Sequence, residues 1–255
     1  MTALNIDGVS KRFGGLLAVA EFSMRVPPGE ITGLIGPNGA GKTTVVNLIT
    51  GVFSLTTGTI KFGDQDLTTA PRHVVARAGI ARTFQTIRLL PDASVLENVM
   101  IGMHRNETVG LFSQLLGLPA SVRETARFRD EAMALLERFG MIRYADFDAG
   151  TLSYGDQRRV EMMRALASKP KMLLLDEPVA GMNDVEAGKL GDIFSQLAGE
   201  GMGVLLIEHN IRFVTKQCRH VYVLDTGRLI AEGTPEQVVN DKAVITAYLG
   251  DDVDA

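Results

Sequence analysis

Gly36-Pro37-Asn38-Gly39-Ala40-Gly41-Lys42-Thr43 is the stretch that decides the fold. It fits G-x-x-x-x-G-K-[ST] at every position. Ile31–Ile35 before it is a short apolar run that reads as a strand, and Lys42–Thr50 after it reads as a helix. Glycines let the backbone curl until successive N–H groups point into one concavity. That nest and the positive end of the following helix together suit phosphate oxygens. Lys42 reaches the β- and γ-phosphates as a point charge, and the Thr43 hydroxyl takes a place on Mg²⁺. A glycine-rich turn with a chance Lys-Thr is the competing reading, and it leaves the leading strand and trailing helix unexplained.

Working outward, Met172-Leu173-Leu174-Leu175-Asp176-Glu177 is an apolar strand ending in two carboxylates. Asp176 is placed to hold the metal, directly or through a water. Glu177 is placed to orient or deprotonate an attacking water. Two solvated carboxylates in a loop are the alternative, and the phosphate loop elsewhere in the chain weighs against it. In an open parallel sheet, ligands sit beyond the carboxyl ends of the strands. Gly36 follows the strand ending at Ile35, and Asp176 the strand ending at Leu175. Gln85 follows a strand candidate at Ile80–Phe84, and His209 trails the strand Val204–Ile207 by two residues. Four separated segments thus bring polar groups to one sheet edge.

The rest of the chain fits this core. Its 255 residues allow one large domain or a core with one subdomain. Hydrophobic residues at 45% and charged residues at 22% are ordinary for a soluble globular protein. Lys+Arg total 26 against Asp+Glu 30, a formal charge of -4, which argues against a nucleic-acid partner. The single cysteine, Cys218, excludes an internal disulfide, fits a reducing compartment and reads as a small, partly buried thiol. No apolar run approaches the roughly 18 residues of a membrane helix. The N-terminus lacks the apolar core of a secretory signal. The expectation is a cytoplasmic chain that does not cross a bilayer alone.

The chain opens β-rich, with Leu4–Val9 and Phe22–Val26 as antiparallel strands and Thr59–Phe62 returning to them. Between about Gln85 and Gly150 strand signals are sparse, and Ser94–Met103 and Ser121–Phe139 read as helices. This predicts a helical subdomain, approximately 86–158, inserted in a single nucleotide-binding domain spanning 1–255. Alternation then resumes with a helix over Asp156–Ala167, a strand over Lys171–Leu175, a helix over Asp184–Leu197 and a strand over Val204–Ile207. Strands alternating with helices predict a mostly parallel sheet covered on both faces. Val221–Asp225 and Arg228–Gly233 read as a hairpin turning at Thr226-Gly227.

Leu152-Ser153-Tyr154-Gly155-Asp156-Gln157 stands one helix before the strand that ends at Asp176. Ser153 reads as an N-cap with Asp156 three residues on. Val160, Met163 and Ala167 form the inward stripe of the helix, and Arg158, Arg159 and Arg164 read as a solvated face. A capped helix N-terminus is still a site for anions.

Taken in order, the phosphate loop, a glutamine after a strand, an L-S-x-G motif, Leu-Leu-Leu-Asp-Glu-Pro and a later histidine resemble the nucleotide-binding subunit of an ATP-binding cassette (ABC) transporter. The resemblance spans nearly the whole chain. It implies a P-loop NTPase of α/β class, with a mostly parallel sheet, an N-terminal antiparallel β subdomain and an inserted helical subdomain. It implies ATP and Mg²⁺ as ligands. Gly36, Pro37, Asn38, Gly39, Ala40, Gly41, Lys42, Thr43 and Thr44 would hold the phosphates. Phe13, in Lys11-Arg12-Phe13-Gly14-Gly15, would stack on adenine, unless it is a core aromatic. Thr43, Gln85 and Asp176 would serve the metal, and Gln85 would also link to the membrane subunit. Ser153 and Gly155 would contact the γ-phosphate of ATP held by a second cassette, and Ala180-Gly181-Met182-Asn183 would be an inter-subunit loop. Glu177 and His209 would act in hydrolysis. The implied partners are a second ATPase subunit, identical or paralogous, and membrane permease subunits, one of which would dock near Gln85–Leu90. Through them the cassette would sit on the cytoplasmic face of the membrane and serve an extracytoplasmic solute-binding protein.

A finer resemblance is to the ATPases of branched-chain amino acid importers. It rests on Arg12-Phe13-Gly14-Gly15-Leu16-Leu17-Ala18-Val19, Arg82-Thr83-Phe84-Gln85, Leu152 to Arg159, Glu232-Gly233-Thr234-Pro235-Glu236 and Ala247-Tyr248-Leu249-Gly250. Urea, amide or aromatic-acid import and lipopolysaccharide export are the alternatives within the same family. A soluble cassette acting in translation or DNA repair is the alternative outside transport; the single phosphate loop and the short chain count against it. Tyr154, Asp156 and Asn183 depart from the general cassette motifs. Asp156 would place a carboxylate near an anion site, so it is expected to point away from ATP.

Overall fold

The computed structural model describes residues 2–83, 87–110 and 116–249. These form two compact units, one of Met1–Arg82, Lys171–Pro178 and Ala187–Ala255, the other of Thr83–Pro170 and Val179–Glu186. The elements follow in chain order as β1 (Leu4–Phe13), β2 (Leu16–Val26), β3 (Ile31–Ile35), α1 (Lys42–Ile49), β4 (Thr57–Phe62), β5 (Gln65–Asp66), α2 (Arg72–Ala78), β6 (Ile80–Arg82), α3 (Val95–Ile101), α4 (Pro119–Arg138), α5 (Tyr154–Ala167), β7 (Met172–Asp176), α6 (Asp184–Gly199), β8 (Gly203–Ile207), α7 (Ile211–Gln217), β9 (His220–Asp225), β10 (Arg228–Gly233), α8 (Pro235–Val239) and α9 (Lys242–Leu249). Among the described residues no helix is long and apolar enough to cross a membrane.

In the first unit, β1 alternates buried and exposed positions, as a strand covered on one face does. It lies between β2 and β4 in an antiparallel sheet of order β2-β1-β4-β5. β3, β7 and β8 are buried at all five positions, as strands covered on both faces must be. They belong to a six-stranded sheet of order β10-β9-β3-β8-β7-β6, parallel except for the β9–β10 hairpin. The register sets Leu34 beside Ile207, Asp176 beside Ile207 and Arg82 beside Leu174, so the carboxyl ends of four strands lie level at one edge. Both sheets share a core that includes Phe22, Leu34, Val45, Ile60, Leu174 and Leu205. Cys218 is buried, and burial pushes its thiol up to about 12.

In the second unit, α3 opens on a capping box. The Ser94 hydroxyl accepts from the Glu97 amide, and the Glu97 carboxylate accepts from the Ser94 amide. Buried Asn98 donates to the carbonyls of Leu90, Ala93 and Ser94, and accepts from the Leu90 amide. One side chain therefore shapes the loop leading into the helix.

β1 and β2 run further than their apolar cores suggest, because they continue to the hairpin tip as a paired ladder. β6 ends at Arg82, and Phe84, the far end of the strand expected there, lies outside the described residues. α2 and α7 are short helices that the sequence reading did not anticipate. Arg158, Arg159 and Arg164 do not form a solvated face. Arg158 is 1% exposed, with its guanidinium 3.6 Å from the Glu161 carboxylate and 5.6 Å from the centre of the Tyr154 ring. Arg159 lies 3.4 Å from Asp156, and Arg164 donates to the carbonyl of Arg88 at 2.5 Å.

Candidate functional site

The phosphate loop leaves β3 at Gly36 and enters α1 at Lys42. Gly36 has φ +149 and Gly41 φ +104, values that suit glycine. Space enforces this as well. A Cβ on Gly36 would collide with the carbonyl of Leu224, and one on Gly41 would lie 2.9 Å from the carbonyl of Ala18. The loop is tied at its base, where the Gly227 amide donates to the Ala40 carbonyl at 2.9 Å. Pro37, Asn38 and Gly39 form the outer turn, with Gly39 at φ +81. Gly41 is the N-cap residue of α1, no side chain caps the helix, and its first turn carries no acid. The helix thus presents free amide donors and an uncompensated positive end, which is the electrostatic requirement for an anion. Thr43 and Thr44 stand in that first turn, with Thr43 exposed.

Lys42 is buried, and its ammonium donates to the carbonyls of Gly36 at 2.6 Å and Pro37 at 2.8 Å. Desolvation lowers its pKa, while the charges of Glu177 and Asp176 act in the opposite direction. The cation is thus folded onto its own loop with two carboxylates within electrostatic reach.

Asp176 closes β7 and is 4% exposed. Arg82, from the end of β6, donates to its Oδ2 at 2.9 Å and to Oδ1 of Asn47 in α1 at 2.7 Å. Glu177 has φ +49, a left-handed conformation that is strained for a side chain of its size, and its amide donates to the Ile207 carbonyl at 2.9 Å. That bond ties the backbone of Glu177 to the end of β8. His209 is two residues beyond β8, with Nδ1 3.7 Å from Glu177 Oε1 and 3.9 Å from Glu208 Oε2. Buried Glu208 accepts from the His209 amide at 3.2 Å. Lys42, Asp176, Glu177 and His209 therefore gather at one sheet edge. Gln85 lies outside the described residues.

Magnesium takes hard oxygen ligands, keeps several waters and needs only one or two protein groups beside substrate phosphates. A carboxylate at a strand end and an exposed threonine hydroxyl in the first turn of α1 are donors of this kind, so Asp176 and Thr43 fit the ion. Among the described residues no group of three or more His, Cys, Asp or Glu forms a cage able to hold a metal without phosphates.

Phe13 ends β1 at the hairpin tip and is 41% exposed, so it is not a core aromatic. Its ring meets Phe53 edge-on at 5.1 Å between centroids. The Lys11 ammonium stands 4.9 Å from the Phe13 centroid and donates to the Ser54 carbonyl at 2.7 Å.

In the second unit, Ser153 is the N-cap of α5, and its hydroxyl accepts from the Asp156 amide at 3.2 Å and donates to Asp156 Oδ2 at 2.8 Å. Asp156 is therefore part of the cap and also leans on Arg159. Gly155 offers no side chain, and a Cβ there would meet Met182 at 3.8 Å. Tyr154 lies against Gly181, with a ring carbon 3.6 Å from where a Cβ on Gly181 would be. Asn183 caps α6. Its Oδ1 accepts from the amides of Val185 and Glu186, and the Glu186 carboxylate accepts from the Asn183 amide. An asparagine serves here as well as an aspartate.

Arg82, Asn47 and Glu208 were not singled out from sequence. Arg82 fell inside the strand expected over Ile80–Phe84, so its place beside the end of β7 shows only in the structure, where β6 ends at it.

A strand, glycine loop and uncapped helix beside an acidic strand end define a P-loop nucleotide-binding cassette. The ABC transporter family model matches residues 19–180, and the chain belongs to that family, whose cassettes hydrolyse ATP. The model described as branched-chain amino acid ATP-binding cassette transporter matches residues 228–254. The chain is 43% identical to the high-affinity branched-chain amino acid transport ATP-binding protein LivG of Escherichia coli (strain K12), over 97% of this chain and 98% of that one. It is 36% identical to the lipopolysaccharide export system ATP-binding protein LptB of the same strain, over 99% of each. Among solved structures, a nucleotide-free ATP-binding cassette from an ABC transporter superposes with a TM-score of 0.85 at 33% identity, covering 98% of this chain and 100% of that one.

Proposed function

We propose that the chain is the ATP-hydrolysing subunit of an importer for branched-chain or related amino acids. The observation that carries the choice of solute is the match of residues 228–254, because that segment lies outside the general cassette motifs. Identity to LivG over nearly the full length supports it.

In this reading the γ-phosphate of ATP draws the Lys42 ammonium from the carbonyls of Gly36 and Pro37. The free amides of the loop and of α1 hold the phosphate oxygens, with Thr44 beside them, and Phe13 supplies an exposed face for adenine. Asp176 and Thr43 hold Mg²⁺, which neutralises phosphate charge when bound, and Gln85 serves the same ion. Glu177 accepts a proton from, or orients, the water that attacks the γ-phosphorus. The leaving ADP oxygen keeps the bond electrons. His209, beside Glu177, contacts the γ-phosphate. Ser153 and Gly155 serve ATP on a second cassette, identical or paralogous, and the pair drives permease subunits from the cytoplasmic face, supplied by an extracytoplasmic solute-binding protein. The cassette as a whole, 1–255, acts as one nucleotide-binding domain with the 86–158 segment as its helical insertion.

The test is reconstitution of the cassette with its permease subunits and solute-binding protein in proteoliposomes. Leucine, isoleucine or valine should stimulate ATP hydrolysis and enter the vesicles. Stimulation by urea, amides or aromatic acids alone would replace the solute. Recovery of the cassette with a lipopolysaccharide exporter would replace the transporter.

A further inference from the structure

Asp176 is almost fully buried, and a buried carboxylate without a counter-charge is strongly unfavourable. The protein supplies one. The Arg82 guanidinium, itself nearly buried, spans from Asn47 Oδ1 at 2.7 Å to Asp176 Oδ2 at 2.9 Å. It joins three elements that frame the phosphate loop: β6, β7 and α1. A guanidinium held at two points by its planar fork is a fixed charge, unlike a lysine on a flexible stem. The carboxylate proposed to hold the metal is therefore already occupied by a cation of the chain.

We propose that Arg82 is a positioning residue that holds Asp176 as an internal counter-ion, and that a divalent cation must compete with it for Asp176. This rests on the reading of Asp176 as the metal carboxylate. Two consequences follow from the charges. Arg82 keeps Asp176 paired and aimed when no metal is present. It also weakens metal binding, because its charge repels the ion and its hydrogen bond withdraws an oxygen lone pair. The site then takes magnesium together with nucleotide, whose phosphates supply the missing attraction, and holds the free ion poorly.

The experiment measures affinity for a non-hydrolysable ATP analogue by calorimetry, with Mg²⁺ and with EDTA. The ratio of the two affinities is the metal coupling. Arg82→Gln keeps a polar amide on a shorter stem but removes the charge, and should raise the coupling by about ten-fold. Its melting temperature without nucleotide should fall, and Mg²⁺ with the analogue should close much of that gap. Arg82→Lys keeps the charge on a flexible stem and should leave the coupling closer to the wild-type value than Arg82→Gln does. Should Arg82→Gln fail to fold, Asn47→Asp offers the guanidinium a second carboxylate of the same size. It should draw Arg82 from Asp176 and raise the coupling too. Asp176→Asn should abolish the coupling. An unchanged coupling in Asp176→Asn would overturn the metal role of Asp176 and this proposal with it. A coupling abolished in Asp176→Asn but unchanged or lowered in Arg82→Gln would overturn the counter-ion role alone. Equal effects in Arg82→Gln and Arg82→Lys would do the same, since geometry rather than charge would then be responsible.

Discussion

The two helix N-termini proposed above to meet phosphate, those of α1 and α5, are built differently. α1 begins at a glycine in the left-handed region, with no side-chain cap and no acid in its first turn. α5 begins at Ser153, which caps the helix, and Asp156 places a carboxylate in the first turn. Four amides at a helix start need partners. In α1 the backbone leaves them for a ligand; in α5 the chain satisfies part of the need itself. On the proposed reading the first is ready for an anion as it stands. The second must give up a hydrogen bond of its own before Ser153 can serve a phosphate. The same contrast appears in the charges: α1 carries Lys42 in its first turn, and α5 carries Asp156.

The sharpest way to test the α1 side is to leave its binding groups intact and remove the chemistry beside it. Glu177→Gln keeps size and hydrogen bonding and loses the proton-accepting charge. General-base groups contribute roughly 10²–10⁴-fold, so steady-state ATP turnover should fall by about that factor while ATP still binds. Size-exclusion chromatography with ATP and Mg²⁺, and with the partner cassette, should show an accumulated dimer. Turnover near the wild-type rate would shift the role to His209.

Next in size is Lys42→Ala. A hydrogen bond from a charged donor is worth about 1.5–3 kcal/mol, so ATP affinity should fall by roughly 10- to 150-fold. The fold should survive, because among the described residues the Lys42 ammonium bonds only two carbonyls of its own loop and no strand or core residue. Calorimetric titration together with a thermal melt checks both. A folded variant with unchanged affinity would mean that the α1 amides alone hold the phosphates.

The two helix starts also differ in how legible they were. The phosphate loop is a contiguous octet whose residue types are dictated by local backbone geometry, so Gly36, Gly41 and Lys42 could be read directly. So could the cap at Ser153, which spans three residues. The mostly parallel α/β core followed from strands alternating with helices. What escaped depends on distant packing. Arg82 meets Asp176 only because β6 lies beside β7, and it meets Asn47 because α1 approaches both. Arg158 looks solvated by its charge, yet the second unit packs over it and Glu161 stands one turn away. That i,i+3 spacing of opposite charges was visible and was the available hint.

On the α5 side, Ser153→Ala tests the cap itself. Loss of an N-cap serine costs about 1 kcal/mol, or roughly 2–4 °C in Tm for a chain of this size. Nucleotide-driven assembly with the partner cassette should weaken as well. A variant with a normal melt but weak assembly would mean that Ser153 works for the ligand and not for the helix.

The smallest effect is expected from Asp156→Asn, and it bears most directly on the contrast. The substitution keeps an acceptor for the Ser153 hydroxyl but removes the charge. Two opposing changes follow. The helix loses a favourable carboxylate at its positive end, a few tenths of a kcal/mol at a partly exposed position, so the melt should drop less than in Ser153→Ala. Against that, an anion approaching α5 no longer meets a negative charge, and Ser153 is held less firmly. Nucleotide-driven assembly should tighten by roughly two- to five-fold at low salt, and the gain should shrink as salt screens the removed charge. Analytical ultracentrifugation across a salt series, with the partner cassette and a non-hydrolysable ATP analogue, reads this out. Weaker assembly in Asp156→Asn would show that the carboxylate aims Ser153 and does not compete for it. α5 would then be as ready for an anion as α1, and the difference drawn between the two helix starts would fail.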